Sequence, residues 1–226
     1  MRSARPARKP QQGVKVSGLL CTLTAALIFL CGAAGAQAAV ISSWPLGSNA
    51  QDVADGNDGV ATNVVFTGSY ASFDGTSSKI AVPYDSNLSP GSADVTVSVQ
   101  FRTTSMPGTT NYDFDLVRST PGNPMYKVEL YPHGSPPKAQ AQCIFHGSTA
   151  GTTWHKGPSL NDGNWHTVIC TKTANAVTLT IDGVAYTKSI VIGDITLARK
   201  PFSIGWKPQG ADYFHGDMNN VSVSIG

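Results

Sequence analysis

The stretch that most constrains this chain is Asn161 to Tyr186, NDGNWHTVICTKTANAVTLTIDGVAY, which reads as a long antiparallel hairpin between two turns. Asp162-Gly163 is a turn pair, because glycine accepts positive φ and an aspartate side chain can bond to the backbone ahead of it. Trp165 to Thr171 is a β-branched and aromatic run. Val177, Leu179 and Ile181 then alternate with Thr178, Thr180 and Asp182 at a period of two residues. Thr173 to Ala176 makes the reversal, and Asp182-Gly183 is a second turn pair before Val184 to Lys188 leaves. In the first strand, Trp165, Thr167 and Ile169 share one face and His166, Val168 and Cys170 the other. Both faces are partly apolar, as expected where one side meets a core and the other lines a concave surface.

The rest of the chain repeats this grammar. Val40 to Trp44, Asn63 to Phe66, Ala71 to Phe73, Lys79 to Val82, Val95 to Arg102, Phe114 to Arg118, Met125 to Tyr131 and Ala139 to Phe145 are short strand candidates separated by Gly, Pro, Asn, Asp and Ser clusters. The only helical pattern lies at the N-terminus. Many short strands with frequent turns predict an all-β sandwich of two antiparallel sheets that bury alternate residues between them. Gly 23 and Pro 14 fit such a loop-rich jelly roll.

The leading segment reads as an export signal. Arg2, Arg5, Arg8, Lys9 and Lys15 form a basic region without acidic residues, Leu19 to Leu30 is apolar, and Ala36-Gln37-Ala38 has the small-x-small form of a cleavage site. The apolar run is too short for a membrane span, which needs about 20 residues. The predicted organisation is therefore a signal peptide over residues 1–38 and one domain over 39–226, secreted to the extracellular space. Removal of the signal leaves 11 of the 16 Lys and Arg beside all 14 Asp and Glu, a net charge of −3. With Arg199-Lys200 as the only basic pair, nucleic-acid binding has nothing to rest on, and no membrane partner is expected after cleavage. Cys143 and Cys170 are the two cysteines left, and thiols in an exported chain most often pair. The alternative is two buried free thiols.

The hairpin DGNWHTV…VTLTIDG is similar to the signature hairpin of laminin-G-like domains, within the concanavalin-A-like jelly rolls. Trp44-Pro45-Leu46, Asn57-Asp58-Gly59-Val60, SFDGTSSKIAVP (72–83) and DVTVSVQFRT (94–103) resemble that family's opening strands in order. PFSIG (201–205) and FHGDMNNVSVSI (214–225) resemble its closing strands, with Met218-Asn219-Asn220 where an acidic triplet is usual. The resemblance implies a jelly-roll β-sandwich, a noncatalytic binding role, and a structural calcium near the final strand at Asp217.

Catalytic signals are sparse. Glycosidases on this fold use two carboxylates, whereas Glu129 is the chain's only glutamate. Asp113 and Asp115 can share a strand face, with Arg118 where a third acid would stand. Lys127, Glu129 and Tyr131, then QCIFH, then YFHGDMNN, loosely resemble jelly-roll alginate lyase motifs, with Tyr213 and His146 as acid and base. Lysine replaces the expected arginine there, and two extra residues break the Gln-x-His triplet. The five histidines show no zinc spacing, and His166 reads as structural. Binding is expected from aromatic rings in turn-rich stretches, Tyr112, Trp154, Trp206 and Tyr213, with Lys207, Gln209 and Asp212 beside Trp206. Trp44 and Trp165 are assigned to core or concave-surface packing. The expected ligand is a glycan or polysaccharide; a polysaccharide lyase or glycoside hydrolase, and an adhesive domain with a cell-surface protein partner, remain alternatives.

Overall fold

In the computed structural model the chain divides into a leading unit, Met1–Gly35, and a body, Ala36–Gly226. The structure describes residues 38–108, 112–208, 210 and 212–226. Residues 1–37 of the expected signal peptide (1–38), and Gln209, lie outside the described residues.

The body is two antiparallel sheets. The first has eight strands: β1 (Ala39–Trp44), β3 (Val65–Phe66), β4 (Ala71–Asp74), β6 (Val95–Arg102), β11 (His166–Lys172), β12 (Ala176–Ile181), β13 (Val184–Ser189) and β15 (His215–Ile225). Their order is β13-β12-β11-β6-β15-β4-β3, with β1 also paired to β15. The second has seven strands, ordered β10-β9-β8-β7-β14-β5-β2: β2 (Val60–Thr62), β5 (Lys79–Val82), β7 (Phe114–Arg118), β8 (Met125–His133), β9 (Lys138–His146), β10 (Gly151–His155) and β14 (Phe202–Ile204). One turn of 3-10 helix, Ser86–Leu88, is the only helical element among the described residues.

The period-two pattern sets which side chains meet the interior. In β6, Val95, Val97, Val99 and Phe101 are buried while Thr96, Ser98, Gln100 and Arg102 face outward. Tyr126, Val128 and Leu130 of β8 do the same for the second sheet. Between the sheets, Phe214 is surrounded by Phe73, Phe101 and Phe114 at centroid distances of 5.9, 6.1 and 5.9 Å, and Trp44 stacks on Phe202 at 5.3 Å. Trp44 is core, as expected. The predicted hairpin forms with Val168 opposite Ile181 and Lys172 opposite Val177, and Val184–Ser189 returns along β12.

Cys143 of β9 and Cys170 of β11 are joined, with Cα atoms 5.5 Å apart, so the disulfide ties one sheet to the other. That spacing is normal for the bond. His166 explains why the hairpin carries an aspartate at each turn. Its Nδ1 lies 2.8 Å from Asp182 and its Nε2 3.0 Å from Asp162, so one imidazole latches both turns. Burial acts against the charged ring, but the bonds to Asp182 and Asp162 outweigh it and raise the His166 pKa.

One expectation differs from the fold. Gly151–His155, read as a turn-rich stretch, is an edge strand paired to β9. Trp165, assigned to core or concave-surface packing, precedes β11 and is 38% exposed on the outer side of the first sheet, against Tyr70 and Arg102.

Candidate functional site

The outer face of the second sheet carries a cluster of charge that is almost wholly buried. Alternation on β8 sends Tyr126, Val128 and Leu130 inward and Lys127 and Glu129 outward. Register then places Asp115 opposite Glu129 and Arg118 opposite Lys127, with an irregularity between Asp115 and Val117 that keeps both β7 polar groups on this side. Lys127 Nζ lies 2.8 Å from Asp115 and 3.5 Å from Asp113, and it also contacts Glu129. Arg118 bonds Asp115 through Nε at 2.5 Å and through its second amino group at 3.3 Å. A buried charge is tolerable only when paired in this way.

The cluster continues outward on both sides. Gln142 of β9 donates to Glu129, and its Oε1 lies 3.0 Å from His133 Nε2. An ionised Glu129 can only accept, so the Gln142 amide must point its NH2 there and its oxygen at His133. His133 Nε2 then donates to that oxygen. Its ring stacks on His155 at 3.6 Å and 10°, beside a cleft of about 530 Å³ lined also by Ser135, Lys138 and Gln140. Burial lowers the His155 pKa, and the charges of His133 and Lys156 act in the same direction.

On the other side, the 206–213 loop leaves β14 and brings Trp206 and Tyr213 into a nearly parallel stack, centroids 6.4 Å apart at 19°. Lys79 Nζ sits 4.8 Å from the Trp206 ring, and the indole N–H donates to Ile80 O at 3.3 Å. Lys207 Nζ bonds Asp212 at 2.6 Å, which raises the lysine's pKa. Burial pushes the Asp113 carboxyl up to about 6, the charges of Asp115 and Asp212 add to the rise, and Lys127 opposes it.

The predicted ligand rings are thus distributed unequally. Trp206 and Tyr213 come together, and Tyr112, 72% exposed, lies one residue from Asp113. Trp154 does not join them: it stands on β10, packs against the core and donates to Tyr186 O at 3.0 Å. The calcium expectation at Asp217 meets a different neighbourhood. Asp217 Oδ2 accepts from Arg102 Nε at 2.8 Å and Oδ1 from Ser72 at 2.5 Å, so a fixed guanidinium already answers its charge. The three carboxylates of Asp113, Asp115 and Glu129 come close enough to one another to hold a metal ion. Lys127 Nζ stands among them in the same electrostatic role. His146 sits at the end of β9 opposite Met125, two strand positions beyond Ile144, and it is Ile144 that lies opposite Lys127. His146 therefore stands on the same outer face but one diagonal step from Lys127 rather than opposite it. Sequence reasoning missed His133, His155 and Gln142; the signal available was the alternation of polar residues in KAQAQ facing the outward residues of KVELYPH.

Residues 74–224 match the family described as the Concanavalin A-like lectin/glucanases superfamily, of laminin-G type. The chain belongs to this family. A search of curated protein sequences found no match. Among solved structures, domain 4 of the extracellular GH43 arabinanase AbnA from Geobacillus stearothermophilus, in complex with arabinotriose, is 18% identical. It aligns with a TM-score of 0.56 over 84% of this chain and 94% of that one. Domains LG4-5 of the mouse laminin α1 chain align at 18% identity and TM-score 0.54, over 78% of this chain and 46% of that one. A botulinum neurotoxin type C, whose cell entry depends on interaction with two ganglioside molecules, aligns at 11% and 0.59, over 82% and 47%. The chain spans about half the length of the laminin and neurotoxin chains. At these identities the likeness is one of fold.

Proposed function

We propose that the mature protein is a secreted, noncatalytic module that binds glycan chains along the outer face of its second sheet. The observation that carries this reading is the Trp206–Tyr213 stack beside the Lys207–Asp212 pair, a combination of ring faces and fixed polar groups suited to a sugar's apolar face and its hydroxyls. Tyr112 offers a further exposed ring, and the buried Lys127–Glu129–Gln142 row needs no ligand to neutralise it. The sugar-bound state of the arabinanase domain supports the class of ligand. Calcium is not required in this reading: the ammonium of Lys127 competes with any cation at Asp113, Asp115 and Glu129, and calcium prefers six to eight oxygen ligands.

The test is retention of the oxidised mature protein on a polysaccharide panel, with and without chelator, followed by product analysis. Retention that survives chelator, yields no new reducing ends or unsaturated sugars, and falls in Trp206→Ala is the expected outcome. A Trp206→Ala variant with fold, affinity and number of bound chains all intact refutes the site. New reducing ends would instead favour hydrolysis, for which the Asp113 carboxyl near 6 beside Asp115 and Glu129 is the motivating observation.

A further inference from the structure

The first sheet carries a second group of aromatic and polar side chains, on the far side of the sandwich from Trp206. Arg102 ends β6 with its guanidinium 4.9 Å from the Tyr70 ring and 5.0 Å from the Trp165 ring, and the two rings meet edge-on at 5.8 Å. Asp217 fixes the guanidinium through Nε and is itself held by Ser72. Beside this group opens a cleft of about 220 Å³ lined by Arg102, Thr103, Thr104, Gly163, Gly216 and Asp217.

Two glycines in the lining allow close approach of the chain there. Gly216 has φ +151°, and a Cβ there would lie 2.4 Å from the Arg102 carbonyl oxygen, so no side chain can stand at that point of β15. Gly163 has φ +83° in the Asp162-Gly163 turn, where a Cβ would come 3.2 Å from Thr104 Cγ2. The cleft does not stand alone on the face. One pair of residues further along the strands, about 7 Å, Gln100 donates to Thr167 at 3.1 Å and accepts from Asn220 at 2.8 Å. An exposed indole, a held Arg–Asp pair and a row of amide and hydroxyl groups lie on one surface.

We propose that this cleft is a second carbohydrate site, which makes the protein a bridge between two glycan chains. The inference rests on the glycan-binding reading of the second sheet. Trp165 offers its ring to the apolar face of a pyranose or furanose, while Arg102 donates to, and Asp217 accepts from, the hydroxyls at its edge. The ligand class is a neutral chain. The guanidinium charge is already answered by Asp217, and an acidic sugar placed in the cleft would meet that carboxylate. The two sites sit on opposite faces of a sandwich whose sheets pack about 10 Å apart, so a single sugar ring cannot fill both.

The experiment compares wild type, Trp165→Ala, Trp206→Ala and the double variant on arabinan, xylan, cellulose, chitin and pectin, with sites per protein titrated on any soluble polysaccharide retained. Thr104→Arg, at an exposed position, blocks the cleft without removing a packed group and serves where Trp165→Ala lowers stability. The expected result is that each single variant keeps binding at half the wild-type site number, the double variant loses it, and only wild type clouds a soluble polysaccharide by cross-linking. The proposal is overturned if Trp206→Ala alone abolishes retention, or if neither Trp165→Ala nor Thr104→Arg changes the site number. Wild type that binds nothing on the panel overturns the glycan-binding reading itself, and the second site with it.

Discussion

The Asp113 carboxyl gives the sharpest test of the buried cluster. It belongs to a strand-edge residue whose side chain is largely covered, and its pKa stands at about 6 against 3.8 for an ordinary aspartate. Ionising it in the folded protein therefore costs on the order of 2–3 kcal/mol more than ionising it in the unfolded chain. The sign follows from proton counting. Between about pH 4 and pH 6 the native state holds the proton that the unfolded state has released, so stability falls as pH rises through this window. Asp113→Asn keeps the size and removes the charge. Urea unfolding followed by tryptophan fluorescence, at pH 4 and at pH 8, gives the stability difference at each pH. The variant should match wild type to within about 1 kcal/mol at pH 4 and exceed it by about 2–3 kcal/mol at pH 8. If Asp113→Asn is less stable than wild type by the same amount at both values, Lys127 holds Asp113 as a favourable ion pair and the account given of the cluster is wrong.

Two further outcomes follow from the sheet contacts. Replacing both Cys143 and Cys170 by Ser opens a loop whose ends are 27 positions apart, and thermal or urea unfolding should show a loss of about 3.5 kcal/mol; a loss under about 1 kcal/mol would mean that the sheets hold register without the bond. His166→Gln should cost about 1–2 kcal/mol by removing the bonds to Asp162 and Asp182. Because the His166 pKa is raised in the folded protein, the wild-type advantage is complete below the imidazole's unfolded value of 6.5 and shrinks as pH rises through the folded value; an advantage that grows from pH 6 to pH 8.5 would contradict the latch.

What the sequence could and could not display follows from the range of the interactions. Strands β5 and β6 occupy the residues that the apolar alternation marks, Lys79–Val82 and Val95–Arg102, because burial of every second residue is written in the local order. Strand β10 was illegible because Gly151 and Gly157 bracket it, and Trp154 so placed looks like a loop ring. β2 has three residues, each exposed, and offers no apolar pattern at all. The pairing of Trp206 with Tyr213 was accessible, since both lie in one short loop. The Lys127 cluster was not. Lys127 and Glu129 alternate with apolar residues as a solvated strand face would, and only the register of β7 against β8 and β9 shows that Asp115, Arg118 and Gln142 close over them. Asp217 shows the same limit in reverse. A lone aspartate near the last strand resembles a ligand until β6 lies beside β15 and brings Arg102 opposite it.

The two outer faces differ in how they handle charge, and that difference bears on what each can bind. On the second sheet, Asp113, Asp115, Glu129 and Asp212 are set against Arg118, Lys127 and Lys207 within one network, so the floor is close to neutral when Asp113 holds its proton and carries one more negative charge when it does not. Being almost wholly buried, these groups would act on a ligand through their field: an acidic sugar held at the Trp206–Tyr213 face would meet growing repulsion above about pH 6, and a neutral one would not. The first sheet reaches neutrality by another route. Thr187, Thr178, Thr171, Thr96 and Ser224 stand in one cross-strand row, with Thr178 to Thr187 at 2.9 Å and Thr96 to Thr171 at 3.0 Å, and the Arg102–Asp217 pair lies at the other end of β6. A face of hydroxyls needs no counter-charge and presents no long lysine or glutamate to hold a partner away. On the proposed two-site reading, both surfaces therefore favour uncharged chains, and neutral polysaccharide is the ligand class expected on both.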